Sequence, residues 1–403
     1  MKKTISIIIC CFSILFLIAC SNNGGEKKEI SIGYLTLDNL DNVHDNIYVS
    51  KNEKYAEMCK DLLQEVERKE LPGSLIVATD QQILFASGTD ILESDGETVS
   101  PYTTYQIGSV SKLFTSACIL KLIEDGKLSP EDKMEKFFPE YENIKDVSVD
   151  NLLHMNSGIA DFVNYPEKAF PKQAEEFVAD ANADSLDEDK MHEYMKNIEL
   201  EFEPGTKTEY SNTNYYLLGS IIEVITGKSF SEYVNEVIIE PLGMKYTKCG
   251  DIGSVTCGYD ASMIMPRFDT NLPLIKGCGD ITTNVLDLLQ FDRALFSDDI
   301  LGLDARNIMF ESDEEYSCGW MKDNASSILH AGGNYWKSSD TETIYHQGRI
   351  PGFLATNIVL NTDGERVYVI FLFGIDENTV AGQNPSQRIG SVLKFIKLHA
   401  PGY

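Results

Sequence analysis

Positive charge is what this chain has least of: across its 403 residues Lys and Arg number 34 and Asp and Glu 63, for a net charge of -29. A surface of that sign repels polyanions and keeps the protein soluble, which removes nucleic acid from the expected partners. The acidic run EEFVADANADSLDEDK at 175 to 190 lacks the spacing of a calcium loop and reads as an exposed helix or loop. Past the adjacent Cys10 and Cys11 of the apolar start, closely paired cysteines are absent as well. Beyond the first twenty residues Cys59, Cys118, Cys249, Cys257, Cys278 and Cys318 are scattered without a CxxC, so a zinc site is not expected. An exported chain can oxidise some of them, Cys249 with Cys257 being nearest in sequence, but buried free thiols are the commoner outcome of such spacing. There is no GxSxG elbow, no HExxH helix, no Walker loop and no GxGxxG. These absences exclude the hydrolases, metallopeptidases and nucleotide-binding folds that such motifs mark, and they leave no cofactor to be expected. GCGDIT at 277 to 282 has the first two glycines of a dinucleotide loop but neither the preceding strand nor the third.

What is present begins with an export signal. Residues 1 to 20, MKKTISIIICCFSILFLIAC, set a basic start before an apolar run too short for a comfortable membrane span. The run ends Leu17-Ile18-Ala19-Cys20, which resembles the bacterial lipoprotein box. That resemblance implies a lipidated Cys20 as the new amino terminus, anchoring the protein to a membrane of the cell envelope. Residues 21 to 50 read as a tether and N-terminal extension, opening on SNNGGEKKE, and residues 51 to 403 as one domain.

Within that domain NEKYAEMCKDLLQEVERKE places Tyr55, Met58, Cys59, Leu62, Leu63 and Val66 at helical spacing, and Leu-Pro-Gly stops it. SLIVATD and QILFASG follow with hairpin grammar. From about 130 to 285 helical stretches such as YYLLGSIIEVI and FSEYVNEVII alternate with Pro- and Gly-marked loops. The strand signal returns from about 342 in ETIYHQ, FLATNIVLN and RVYVIFLFG, with turns at Ile350-Pro351-Gly352 and Asn361-Thr362-Asp363-Gly364. QRIGSVLKFIKLHA closes the chain as a helix. Strands at both ends with helices between predict an α/β (α+β) fold. One antiparallel sheet is built from both chain ends, flanked by helices, with a mainly helical inserted lobe and a site between the two.

The segment YQIGSVSKLFTSACIL, residues 105 to 120, carries the chemistry. Its helix is apolar nearly all round and therefore central, yet its first turn holds Ser109 and Lys112, three residues apart and on one face. Burial disfavours the charged ammonium, so a neutral amine can share or take the hydroxyl proton and make a nucleophile of a weak alcohol. Free N–H groups at the helix start favour an oxyanion beside Ser109. The spacing recurs at Ser391 and Lys394, where Lys394 and Lys397 can face solvent, so companions are needed.

Those companions are an ordered series: GSVSK, NLLHMNSGIADF, EPGTKTEYSN, ITGKSF, PLGM, GCGDITTNVLDLLQF, Gly319-Trp320 and HQGRIPGF. In this order, across about 105 to 375, the chain resembles the serine β-lactamase and penicillin-binding-protein superfamily. The likeness is to its class C-like branch with the related esterases, D-aminopeptidases and D-alanyl-D-alanine carboxypeptidases, and implies a β-lactamase/transpeptidase-like fold. It also implies that Ser109 is the acylated nucleophile, Lys112 its proton partner, and Tyr210 the group passing protons between serine and leaving group. Asn212 would hold a substrate amide or the lysine, His346-Gln347-Gly348 would be the third motif with His346 and Gly348 at the substrate, and the N–H groups of Ser109 and Arg349 the oxyanion hole. Tyr-x-Asn recurs at Tyr141 and Tyr233; Tyr210 is preferred because it follows Pro204-Gly205 in a loop. His154 reads as structural.

The third motif departs from the Lys-Thr-Gly usual in β-lactamases. A lysine there supplies a permanent cation for a substrate carboxylate, whereas histidine is only partly charged at neutral pH. The expected function is therefore a membrane-anchored serine hydrolase of carboxypeptidase or esterase type. It would act on a D-amino-acid peptide such as one derived from peptidoglycan, on a β-lactam-like compound, on an ester, or on a related acyl compound. The alternative is a penicillin-binding or sensor lipoprotein that acylates without turnover.

Overall fold

The computed structural model describes residues 43–44, 46–67, 73–89, 99–183, 185–250, 275–323, 342–350, 353–362 and 365–374. All belong to the compact unit Tyr34–Tyr403. Cys20, Cys257, most of the expected tether and the expected closing helix lie outside the described residues.

The strands are β1 (Val43–His44), β2 (Ile47–Val49), β3 (Gly73–Thr79), β4 (Ile83–Thr89), β5 (Tyr105–Gln106) and β6 (Lys248–Cys249). They continue as β7 (Ile281–Thr283), β8 (Tyr316–Ser317), β9 (Trp320–Asp323), β10 (Glu342–Ile350), β11 (Phe353–Thr362) and β12 (Glu365–Gly374). Nine of them form one sheet in the order β1-β2-β4-β3-β12-β11-β10-β9-β8, with every pairing antiparallel. The expected sheet from both chain ends is thus present, closed where β12 pairs with β3. It begins ahead of residue 51, since Ile47–Val49 already pairs with β4.

The unbroken apolar run of β12 follows from its central place, because both faces are covered. Val367, Val369, Phe371 and Phe373 pack with Tyr55 and with Met58, Leu62 and Val66, the apolar side of the helix Ala56–Glu67. Tyr368, Ile370 and Leu372 point the other way, into the larger core shared with the helix Lys112–Glu124 and the helical lobe. That lobe contains Asn212–Thr226, ended by Gly227 at φ 69°, and Phe230–Val234, which runs into a single π-turn. A second sheet, β5-β7-β6, links the nucleophile segment to the lobe. It escapes the hydrophobic pattern because its strands have two or three residues.

Two local features shape the site. The β8–β9 hairpin turns through Cys318 and Gly319 at φ 49° and 88°, which suits a two-residue loop of the primed type. β9 accompanies β10 only along Thr343–Tyr345, so among the described residues one edge of His346–Ile350 is without a strand neighbour. Among the described residues no helix is long and apolar enough to cross a membrane.

Candidate active site

Ser109 does not open an α-helix as the spacing predicts. It sits in a 3-10 turn, Gly108–Ser111, and Lys112 is the first residue of the α-helix Lys112–Glu124. Residues three apart eclipse one another in a 3-10 turn, which brings the two side chains together more directly than an α-turn does. Lys112 Nζ donates to Ser109 Oγ at 3.1 Å. Gly108 enters the turn at φ 49°, a conformation that favours glycine.

Lys112 is fully buried, at 0% exposure. Its amine also donates to Asn212 Oδ1 at 2.8 Å and to the Cys278 carbonyl at 2.9 Å. Three acceptors match the three hydrogens of an ammonium, so its burial costs less than that of an unpaired charge. The rings of Tyr210 and Tyr215 lie 4.9 and 5.8 Å from Nζ, adding cation–π attraction.

Tyr210 reaches the same serine from the loop ahead of the helix Asn212–Thr226. Its hydroxyl donates to Ser109 Oγ at 2.8 Å and lies 3.4 Å from Asn212 Oδ1. The other Tyr-x-Asn tyrosines are engaged elsewhere: Tyr141 is buried with its hydroxyl 2.7 Å from His192 Nδ1, and Tyr233 is buried on the helix Phe230–Val234. Ser109, Lys112, Tyr210 and Asn212 therefore meet at one point. His154 is bonded to the Asp150 carbonyl and to Ser317, away from that point.

On β10, Gly348 is pressed against the nucleophile turn. A methyl group there would lie 1.8 Å from the Ile107 carbonyl oxygen and 3.1 Å from Ser109 N. Gly348 thus serves close backbone approach, with no side chain to offer a substrate. Across the same contact a methyl on Gly108 would lie 3.1 Å from Arg349 N, so the Ser109 and Arg349 amides border one narrow gap. The Arg349 side chain is exposed.

His346 differs from the expectation of a partly charged group beside the substrate. It is fully enclosed, its Nδ1 2.8 Å from the Gln347 carbonyl and its Nε2 3.4 Å from the hydroxyl of the buried Tyr316. Burial first, and then the charge of Lys112, push its pKa down to about 3. At neutral pH the ring is neutral, and it is the β10 backbone at Gly348 that lies against the nucleophile turn. An unfolded histidine takes its proton near pH 6.5, so the unfolded chain binds more protons from there down to about pH 3. Stability is present above that window and lost as pH falls through it. Between pH 7 and 5 the wild type should lose about 2 kcal/mol more than His346→Gln, read from denaturant midpoints; equal losses would contradict a buried neutral ring. Asp280, raised to about 7 by burial, works in the opposite direction and is common to both proteins.

Two contributors carry no motif. The Cys278 carbonyl holds Lys112, and a carbonyl leaves no trace in a sequence. Asp161 lies behind Asn212, its Oδ2 accepting from Asn212 Nδ2 at 3.0 Å. The one hint was its place in NLLHMNSGIADF. The cysteines other than Cys257 in the domain, namely Cys59, Cys118, Cys249, Cys278 and Cys318, are free and buried.

Penicillin-binding protein 4* of Bacillus subtilis (strain 168) is 26% identical over 308 residues, covering 69% of this chain and 66% of that protein. A putative D-alanyl-D-alanine carboxypeptidase of Escherichia coli (strain K12) is 30% identical over 213 residues, 48% of this chain and 47% of its own. The chain thus spans two thirds or less of the length of these curated relatives. In fold it is similar to D-amino acid amidase from Ochrobactrum anthropi SV3 complexed with D-phenylalanine, with a TM-score of 0.65 at 20% identity over 86% of this chain and 99% of the other. FmtA from Staphylococcus aureus gives a TM-score of 0.63 at 18% identity, covering 90% and 91%. These likenesses show the β-lactamase/transpeptidase-like fold. The family model described as Beta-lactamase matches residues 61–392, and with that span this chain belongs to the Beta-lactamase family.

Proposed function

We propose that the chain is a serine hydrolase that forms an acyl-enzyme on Ser109 and passes the acyl group to water. The observation that carries this reading is the convergence of Lys112 Nζ and Tyr210 OH on Ser109 Oγ, at 3.1 and 2.8 Å. With the Lys112–Tyr210 pair one proton short of ammonium plus phenol, Ser109 Oγ attacks the carbonyl carbon while its proton passes to that pair. The N–H groups of Ser109 and Arg349 bind the oxyanion. Tyr210 delivers a proton to the leaving nitrogen or oxygen as that bond breaks. Water then attacks the ester, gives its proton to the same pair, and Ser109 is restored.

A D-amino-acid amide or peptide, or a simple ester, suits the site better than a β-lactam. The neutral, enclosed His346 supplies no cation at the third motif. Similarity to a putative D-alanyl-D-alanine carboxypeptidase and to a D-amino acid amidase points the same way. We place the protein in the bacterial cell envelope, held by a lipidated Cys20 near peptidoglycan-derived substrates; a diacylglyceryl mass on the mature amino terminus tests the anchor. With protein lacking residues 1 to 20, kcat/KM for a D-amino-acid amide or a short p-nitrophenyl ester, neither of which carries a carboxylate beside the scissile bond, should exceed that for nitrocefin by about tenfold or more. Preference for nitrocefin would overturn the substrate assignment, and one stoichiometric burst without turnover on all three would favour a binding protein.

A further inference from the structure

We infer that Asp161 is a positioning residue: its carboxylate fixes which way round the Asn212 amide sits, and through that amide it sets where the proton of the Lys112–Tyr210 pair rests. The inference deepens the acylation proposed above and rests on it.

Asn212 Oδ1 receives Lys112 Nζ at 2.8 Å and lies 3.4 Å from the Tyr210 hydroxyl. An amide turned by half a revolution would present its NH2 to those two donors. Nothing in the shape of an asparagine resists that turn, since oxygen and nitrogen are nearly the same size; only hydrogen-bond partners decide it. Here the partner is Asp161, whose Oδ2 accepts from Asn212 Nδ2 at 3.0 Å. A carboxylate only accepts, so it tolerates one orientation of its neighbour.

Asp161 is itself built in. It is 3% exposed, and its Oδ1 accepts from Val163 N at 3.0 Å and Asn164 N at 3.4 Å. Its Oδ2 also accepts from Asn164 Nδ2 at 2.6 Å. The loop is fastened to the same helix as Asn212. Thr213 Oγ1 donates to the Ala160 carbonyl at 2.7 Å and accepts from Phe162 N at 3.1 Å. Both backbone neighbours of the carboxylate are therefore held to the first turn of Asn212–Thr226.

The arrangement also places a negative charge one amide beyond Lys112. The other titratable groups around that amine are Tyr210, Tyr215, the thiol of Cys278 and the imidazole of His346. His346 is neutral, and burial raises the Cys278 thiol to about 12, so neither adds a charge. Two carboxyls act on that thiol: Asp280, which burial raises to about 7, and Asp161, which lies beyond the Asn212 amide.

Asp161→Asn tests this. Its oxygen stays with the backbone N–H groups, so its NH2 faces that of Asn212 and favours the turned amide. The rate of Ser109 acylation by a fluorophosphonate probe should fall about 10- to 100-fold. The loss should fall on the maximal acylation rate and leave the half-saturating probe concentration within about twofold, as expected for a residue that orients the proton relay rather than the ligand. In an Asn212→Ala background the same substitution should change the rate by less than about twofold, as expected for residues acting in series. An equal factor in both backgrounds, or a loss confined to the half-saturating probe concentration, would overturn the inference. A wild-type protein that never labels at Ser109 overturns both this and the proposed function, and Ser109→Ala is the control. Should Asp161→Asn not fold, a neutron structure of the wild type reads the amide directly: deuterons facing Asp161 support the inference, and deuterons facing Lys112 end it.

Discussion

Ser109→Ala is expected to lower hydrolysis of a p-nitrophenyl ester by about 10^4-fold or more, at unchanged fold. The loss is large because no other hydroxyl replaces the attacking oxygen. The fold is spared because Ser109 Oγ accepts two hydrogen bonds whose donors keep other partners. Lys112 retains Asn212 Oδ1 at 2.8 Å and the Cys278 carbonyl at 2.9 Å, and Tyr210 retains Asn212 Oδ1 at 3.4 Å. A stability change on the order of 1 kcal/mol or less follows, measured by denaturant unfolding. A variant that keeps activity within tenfold of wild type while melting normally would place the nucleophile elsewhere.

Lys112→Met separates chemistry from packing in the opposite way, since both should suffer. Removing the amine takes a proton acceptor from Ser109, a loss of about 10^2- to 10^4-fold in kcat. It also strips the Cys278 carbonyl of this donor and leaves Asn212 Oδ1 only the 3.4 Å contact with Tyr210. Each buried acceptor left without a donor costs about 1–3 kcal/mol, against which the relief of burying no charge is set. A net destabilisation of about 2 kcal/mol with the activity loss is the expected pair of results. Normal stability with full activity would mean that the three hydrogen bonds of Lys112 serve neither purpose.

The fold was legible where hydrophobic pattern and element length agree. The apolar run RVYVIFLFG reads as a strand, and it is β12, between β3 and β11. Met58, Cys59, Leu62 and Val66 gave the helix that covers one face of that strand. The strands β5, β6 and β7 were not foreseen, because two or three residues carry no period.

The site shows the same division. Ser109 and Lys112 are local in sequence, so their meeting could be inferred, although the 3-10 turn that stacks them could not. Tyr210 was chosen over Tyr141 and Tyr233 because only it lies in a loop beside a Pro-Gly turn, and it is the one that reaches Ser109. The enclosure of His346 was invisible because Tyr316, thirty residues earlier, is one of the groups that encloses it. Asp161 carries no signal of its own, because aspartate in a turn ordinarily needs no further explanation; its second oxygen, turned to Asn212, shows only in three dimensions.

The most direct test of the central claim is intact-protein and peptide mass spectrometry after brief reaction with a slowly hydrolysed acyl donor. If a buried amine and a phenol together draw the proton from one hydroxyl, a single acyl mass appears on the peptide containing Ser109, at a rate that falls in Lys112→Met and Tyr210→Phe. An adduct on any other residue, or hydrolysis that proceeds with no adduct at Ser109, would contradict it.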